Sequence, residues 1–86
     1  VTRADLIERL NDDEELIFLE GPEFDAAIIG TIERFGQPRI VCYDYRKVMR
    51  VLVKQGMSHD DAVEWYEFNI IGAWMGEETP CFLHRS

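Results

Sequence analysis

The chain has 86 residues, with 17 Asp and Glu against 9 Lys and Arg, a formal net charge of −8. That length supports one domain with one modest core, and 47% hydrophobic with 12% aromatic residues argues for a folded globule and against disorder. The acidic balance repels nucleic acid, no apolar run approaches membrane-spanning length, and no secretory apolar stretch opens the sequence.

Residues 2–10 (TRADLIERL) predict a short amphipathic helix, with Thr2 as cap and Leu6, Ile7 and Leu10 as its apolar stripe. The anionic run Asp12, Asp13, Glu14, Glu15 opposes the dipole at a helix C-terminus and stops it. Residues 16–19 (LIFL) predict a short buried strand, which Gly21 and Pro22 break. Phe24 lies in an acidic loop and is placed to plug back into the core. Residues 26–35 (AAIIGTIERF) form the longest strand candidate, and Gly30 marks a bulge or a close neighbour within it. Gly36-Gln37-Pro38 reverses the chain into residues 39–43 (RIVCY), which gives an antiparallel hairpin.

Asp44 is an N-cap candidate for a helix over residues 45–55, with Tyr45, Val48, Met49 and Leu52 on one face. Gly56 and Met57 suit a Schellman closure, and Ser58 caps the next helix, with Asp60 and Asp61 in its first turn. The helical pattern then runs to Gly76. Ala62, Tyr66, Ile70 and Ala73 make one stripe, Val63 and Trp74 flank it, and Trp65 and Phe68 fall to one side. One inward stripe does not account for those rings: the helix is covered on two sides within the fold, or part of it meets a partner. Gly72 signals either a close backbone approach or an early end to the helix, and costs about 1 kcal/mol against alanine. Pro80 prevents the helix from resuming, and residues 81–83 (CFL) add a short edge strand.

Charge is segregated between the two helices. The first carries Arg46, Lys47, Arg50 and Lys54 and no acid; the second carries Asp60, Asp61, Glu64 and Glu67 and no Lys or Arg. As packed neighbours they can form ion pairs across their rims. The turn GMSHDDA fits a helix-turn-helix, but an acidic second helix is wrong for the major groove. The pattern as a whole predicts a single α+β domain over residues 1–86: a small antiparallel sheet of three to four strands packed against a C-terminal helix pair, with a short N-terminal helix at an edge.

The sequence contains no phosphate-binding loop, no dinucleotide-binding glycine pattern and no CxxC. His59 and His84 are not at metal-ligand spacing from each other or from a cysteine. Ser58 beside His59 reads as a cap next to a surface residue rather than a nucleophile pair. Asn69, set among apolar residues, reads as a buried side chain that bonds a loop backbone, with ligand contact as the alternative. Cys42 and Cys81 read as buried reduced thiols, with a disulfide as the alternative, and place the chain in the cytoplasm. The expectation is therefore a protein that is not an enzyme and needs no cofactor or metal.

The best candidate surface is an aromatic and acidic cluster: Trp65, Phe68 and Trp74 with Glu64, Glu67, Glu77 and Glu78. Rings as anchors with acids as a rim suit a basic protein partner, or a second copy through the three rings; the plainer alternative is that these rings belong to the core. A different class of reading puts Asp25 and Asp44 at strand ends as carboxylates of a small-ligand or nucleotide-acting domain, and a third makes the chain a structural assembly component.

The segments FLEGPEFDAAIIGTIERF, VCYDYRKVMRVL and AVEWYEFNIIGAWMGEETPCF together resemble a group of small acidic proteins encoded by bacteriophages and prophages. The resemblance covers residues 16–82 and carries over no catalytic residue. It implies a phage accessory context, and by analogy of context and charge, not by a motif, the chain is expected to act by binding a host protein. The sharpest form of this is an inhibitor of a basic host nucleic-acid-binding complex, such as a CRISPR effector, working in the host cytoplasm without contacting nucleic acid or membrane itself.

Overall fold

The computed structural model describes residues 3–8, 16–72 and 76–85. The expectations that rest on Thr2, Leu10, residues 12–15, Ala73 and Trp74 lie outside the described residues. The domain is α+β. Its elements are α1 (Arg3–Glu8), a 3₁₀ turn (Pro22–Ala27), β1 (Ile28–Ile32), β2 (Ile40–Asp44), α2 (Tyr45–Lys54), α3 (His59–Tyr66), a π-helical segment (Glu67–Ile71) and β3 (Cys81–Leu83).

The hairpin forms where local chemistry directs it. Gln37 N–H donates to the Arg34 carbonyl at 3.1 Å, and Gly36 takes the positive φ of 72° that this turn needs. The ladder pairs Ile28 with Tyr43 and Gly30 with Cys42, so Ile29 is an extra residue and the bulge lies beside Gly30. A Cβ on Gly30 would meet nothing within 4 Å, which leaves the bulge, not a close neighbour, as the reason for that glycine. The paired strand is shorter than the ten residues predicted, because Pro22 starts a 3₁₀ turn that takes up Ala26 and Ala27. That turn drives Phe24 and Ala27 into the core.

The sheet has the order β1-β2-β3 and is mixed: β1 is antiparallel to β2, but β3 runs parallel to β2, pairing Cys42 with Cys81 and Tyr43 with Phe82. The sequence predicts an all-antiparallel sheet. The connection from β2 to β3 contains both helices and the π segment, which is the long crossover that parallel neighbours require. As the central strand, β2 is covered on both faces, and Val41, Cys42, Tyr43 and Asp44 are all buried. Residues 16–19 form no strand. Side chains satisfy backbone groups there instead: Leu19 N–H donates to the Tyr43 hydroxyl at 2.9 Å, and the Leu19 carbonyl accepts from the Arg3 guanidinium at 3.0 Å.

Both helix starts form as the residues dictate. Asp44 Oδ1 accepts from Arg46 N–H at 2.9 Å and from Lys47 N–H at 3.4 Å, and Ser58 Oγ accepts from Asp61 N–H at 3.2 Å. Between them Gly56 N–H bonds the Val53 carbonyl and Met57 N–H the Leu52 carbonyl, the paired bonds of a Schellman closure. Val48, Met49 and Leu52 of α2 pack against Ala62, Tyr66 and Ile70 within one core that includes Val41 and Tyr43. A chain of ring contacts fastens β3 to the helices: Tyr43 to Phe82 at 5.8 Å, Phe82 to Tyr66 at 5.2 Å, Tyr66 to Tyr45 at 5.0 Å and Tyr45 to His84 at 4.1 Å. Burial, followed by Tyr45 and Glu67, pushes the Tyr66 phenol up to about 12.

Candidate functional site: the outer face of the C-terminal helix

The inward residues of the last helix recur every four positions, at Ala62, Tyr66 and Ile70. In a regular α-helix four residues overshoot one turn by roughly 40°, so such a stripe drifts around the axis. From Glu67 the backbone widens, and Gly72 N–H bonds the Glu67 carbonyl five residues back at 3.0 Å. Each residue of a wider turn rotates through a smaller angle, which brings Ile70 back over the core. Gly72 closes this segment because a Cβ there would lie 2.8 Å from the Glu67 carbonyl oxygen. The neighbour that excludes a side chain is thus its own helix, not a second element. Asn69 is exposed rather than buried, and its Nδ2 donates to the Trp65 carbonyl at 3.1 Å, so it bonds the backbone of its own helix four residues back and not a loop.

This geometry turns an apolar ridge outward. Phe68 is 76% exposed, Ile71 52% and Trp65 36%. Glu64, Glu67, Asp60 and Asp61 are exposed on the same run. Trp65 is the wall between two depressions. One, of about 260 Å³, is lined by Asp61, Glu64, Phe68 and Asn69 in addition to Trp65. The other, of about 360 Å³, is bounded by Phe18, Glu20, Phe24 and Ile70 among others. Of the residues predicted for this surface, the structure joins Glu64, Trp65, Glu67 and Phe68 on one face. Glu77 is exposed and Glu78 half-buried in the turn after Gly76, and neither lines the depressions beside Trp65. Trp74 is outside the described residues.

The helical spacing of the sequence sets Ile71 on one solvated face with Glu64 and Glu67, and all three are exposed, whereas the exposure of Phe35 is absent from the sequence reading. Ile71 follows Phe68 by three residues and Glu67 by four, so it extends the apolar ridge at the acidic rim. Phe35, predicted as a strand residue, sits fully exposed at the hairpin tip, as its position next to the turn residue Gly36 could have indicated.

The opposite charge lies on α2. Arg46, Lys47, Arg50 and Lys54 are exposed around a shallow depression of about 880 Å³, whose apolar floor includes Ala26, Met49 and Val53. The rim ion pairs expected between the two helices do not form: among the described residues no ion pair joins α2 to α3. Arg46, Lys47, Arg50 and Lys54 on α2 and Asp60, Asp61 and Glu64 on α3 are all exposed.

Of the two carboxylates predicted at strand ends, Asp44 ends β2 while Asp25 lies in the 3₁₀ turn, and both have structural partners. Asp25 accepts from the Arg3 guanidinium at 3.2 Å, and Asp44 holds both the α2 cap and an ion pair with Arg85 at 3.1 Å. Burial alone would raise the Asp44 carboxyl, but the Arg85 guanidinium and the backbone N–H groups of Lys47 and Arg46 outweigh it and hold it below its ordinary value. Cys42 and Cys81 are free thiols facing each other across β2 and β3. Burial, followed by Cys81 and Asp44, pushes the Cys42 thiol up to about 11, so it is protonated and unreactive at neutral pH. Among the described residues no three His, Cys, Asp or Glu side chains gather as a metal site would require, and no helix is long and apolar enough to cross a membrane. No protein-family model, curated protein or solved structure matches the chain, so the site is read from its own residues.

Proposed function

We propose that the protein is a non-enzymatic interaction module whose ridge of Trp65, Phe68 and Ile71, rimmed by Asp61, Glu64 and Glu67, docks a basic amphipathic surface of another protein. The observation that carries this reading is Phe68: a phenylalanine 76% exposed on the middle of a helix, beside two further exposed apolar side chains. Solvation gains nothing from that arrangement, whereas an aromatic anchor inside an acidic rim gives a partner both apolar area and a charge pattern to match. The sharper form is a phage-derived inhibitor of a host nucleic-acid-binding complex such as a CRISPR effector. What supports it is the net charge of −8 and the line of acids on α3, which can compete for cations that hold a phosphate backbone.

The test is a quantitative pull-down with three baits: wild type, Phe68→Ala, and Glu64→Lys with Glu67→Lys. The reading predicts at least one prey held by wild type, released as salt rises, and reduced roughly 30-fold or more by Phe68→Ala. Identical prey on all three baits would contradict it.

A further inference from the structure

The partner surface that this reading calls for, cations beside exposed apolar groups, is present on the chain itself. We propose that the protein forms a closed two-fold dimer in which the outer face of α2 in each copy receives the Trp65–Phe68–Ile71 ridge of the other. The inference rests on reading that ridge as a docking surface, and it names a second copy of this chain as the occupant.

Four observations converge on it. First, four of the nine Lys and Arg residues stand on the single ten-residue helix α2, and among the described residues none of the four is in an ion pair, although the chain carries 17 acids. Second, those cations surround apolar ground: Val53 is 45% exposed, and with Met49 and Ala26 it lines the depression of about 880 Å³. A ridge of three apolar side chains has an apolar seat there. Third, the charges match in spacing. Arg46, Arg50 and Lys54 recur every four residues along one side of α2; Asp60, Glu64 and Glu67 follow at four and three along α3 and into the π-helical segment. Each line spans roughly 11–12 Å, so three rungs can face three rungs. Fourth, α2 and α3 are adjacent in the fold and do not neutralise each other. A two-fold axis over this pair sets α2 against the partner's α3 and α3 against the partner's α2. Both charge lines are then used twice, and no complementary patch is left to propagate a filament.

Sedimentation analysis of purified protein at about 0.05 M and about 0.5 M salt tests the proposal. Wild type should sediment at about twice its monomer mass of 10.1 kDa at low salt and shift toward the monomer at high salt. The α2 variant (Arg46→Glu, Arg50→Glu, Lys54→Glu) and the α3 variant (Glu64→Lys, Glu67→Lys) should each be monomeric alone, because like charges then face each other. An equimolar mixture of the two variants should recover the dimer mass. A wild type that is monomeric at both salts overturns the proposal and leaves the pull-down test of the ridge unaffected. A dimer lost in the α3 variant and in Phe68→Asp but retained in the α2 variant also overturns it, while upholding the ridge as a docking surface.

Discussion

The two C-terminal helices begin alike, each with a side-chain cap, and then spend their residues differently. Helix α2 buries Val48, Met49 and Leu52 at regular helical spacing, leaves Val53 exposed on its outer side, and closes with a Schellman turn. Helix α3 buries Ala62 and Tyr66 and packs Val63 partly against the core, the π-helical segment after it brings in Ile70, and Trp65, Phe68 and Ile71 stay outside. Their charges are opposite as well. The difference teaches that α2 secures the fold with its inner face, while α3 uses a thinner inward stripe and presents bulky apolar groups to solvent. A helix that retains a π turn and three exposed apolar side chains is shaped by what it offers outward as much as by what it buries.

Substitutions should separate the two helices in a definite order. Leu52→Ala, at the fully buried centre of α2, should cost about 3 kcal/mol in denaturant unfolding, a large share of what a domain of this size possesses. Asp44→Ala removes both the α2 cap and the Arg85 ion pair, and should cost about 2 kcal/mol at neutral pH. Its pH dependence has a fixed sign. The folded carboxyl lies below its ordinary value, so its stabilisation is present above that value and is lost as pH falls through the folded one. Wild type and Asp44→Ala should therefore converge in stability in acid below about pH 4. A gap that stayed constant with pH would mean that the charge of Asp44 contributes nothing. Ser58→Ala, which removes the exposed cap of α3, should cost about 1 kcal/mol. If it cost more than Asp44→Ala, the ranking of the two helices would be reversed.

What was legible in the sequence was local. The caps at Asp44 and Ser58, the closure at Gly56 and Met57, the hairpin and the bulge at Gly30 each depend on a few neighbouring residues and were readable there. The direction of β3 depends on a crossover of two helices and on pairing between Cys42 and Cys81, which no local pattern specifies. Residues 16–19 have the composition of a strand, yet Tyr43 and Arg3 satisfy Leu19 from far along the chain. The 3₁₀ turn was hidden because Ala26 and Ala27 continue the apolar run of the strand. At the site, Trp65 and Phe68 were legible as residues off the inward stripe, with Glu64 and Glu67 beside them. Ile71 was legible by helical spacing on the solvated face of Glu64 and Glu67, but not as an apolar member of the ridge. The cationic face of α2 was visible as composition, and the sequence allowed ion pairs between its rim and that of α3, but whether two rims meet is settled only by how the helices pack.

The central claim is that the ridge is presented to solvent rather than packed. Thermal unfolding of Phe68→Asp, followed by circular dichroism at dilute protein concentration, tests this most directly. An exposed position accepts the charge with little change, so the midpoint should stay within about 4 °C of wild type. A fall of more than about 10 °C would place Phe68 in the core, and the docking surface would not exist.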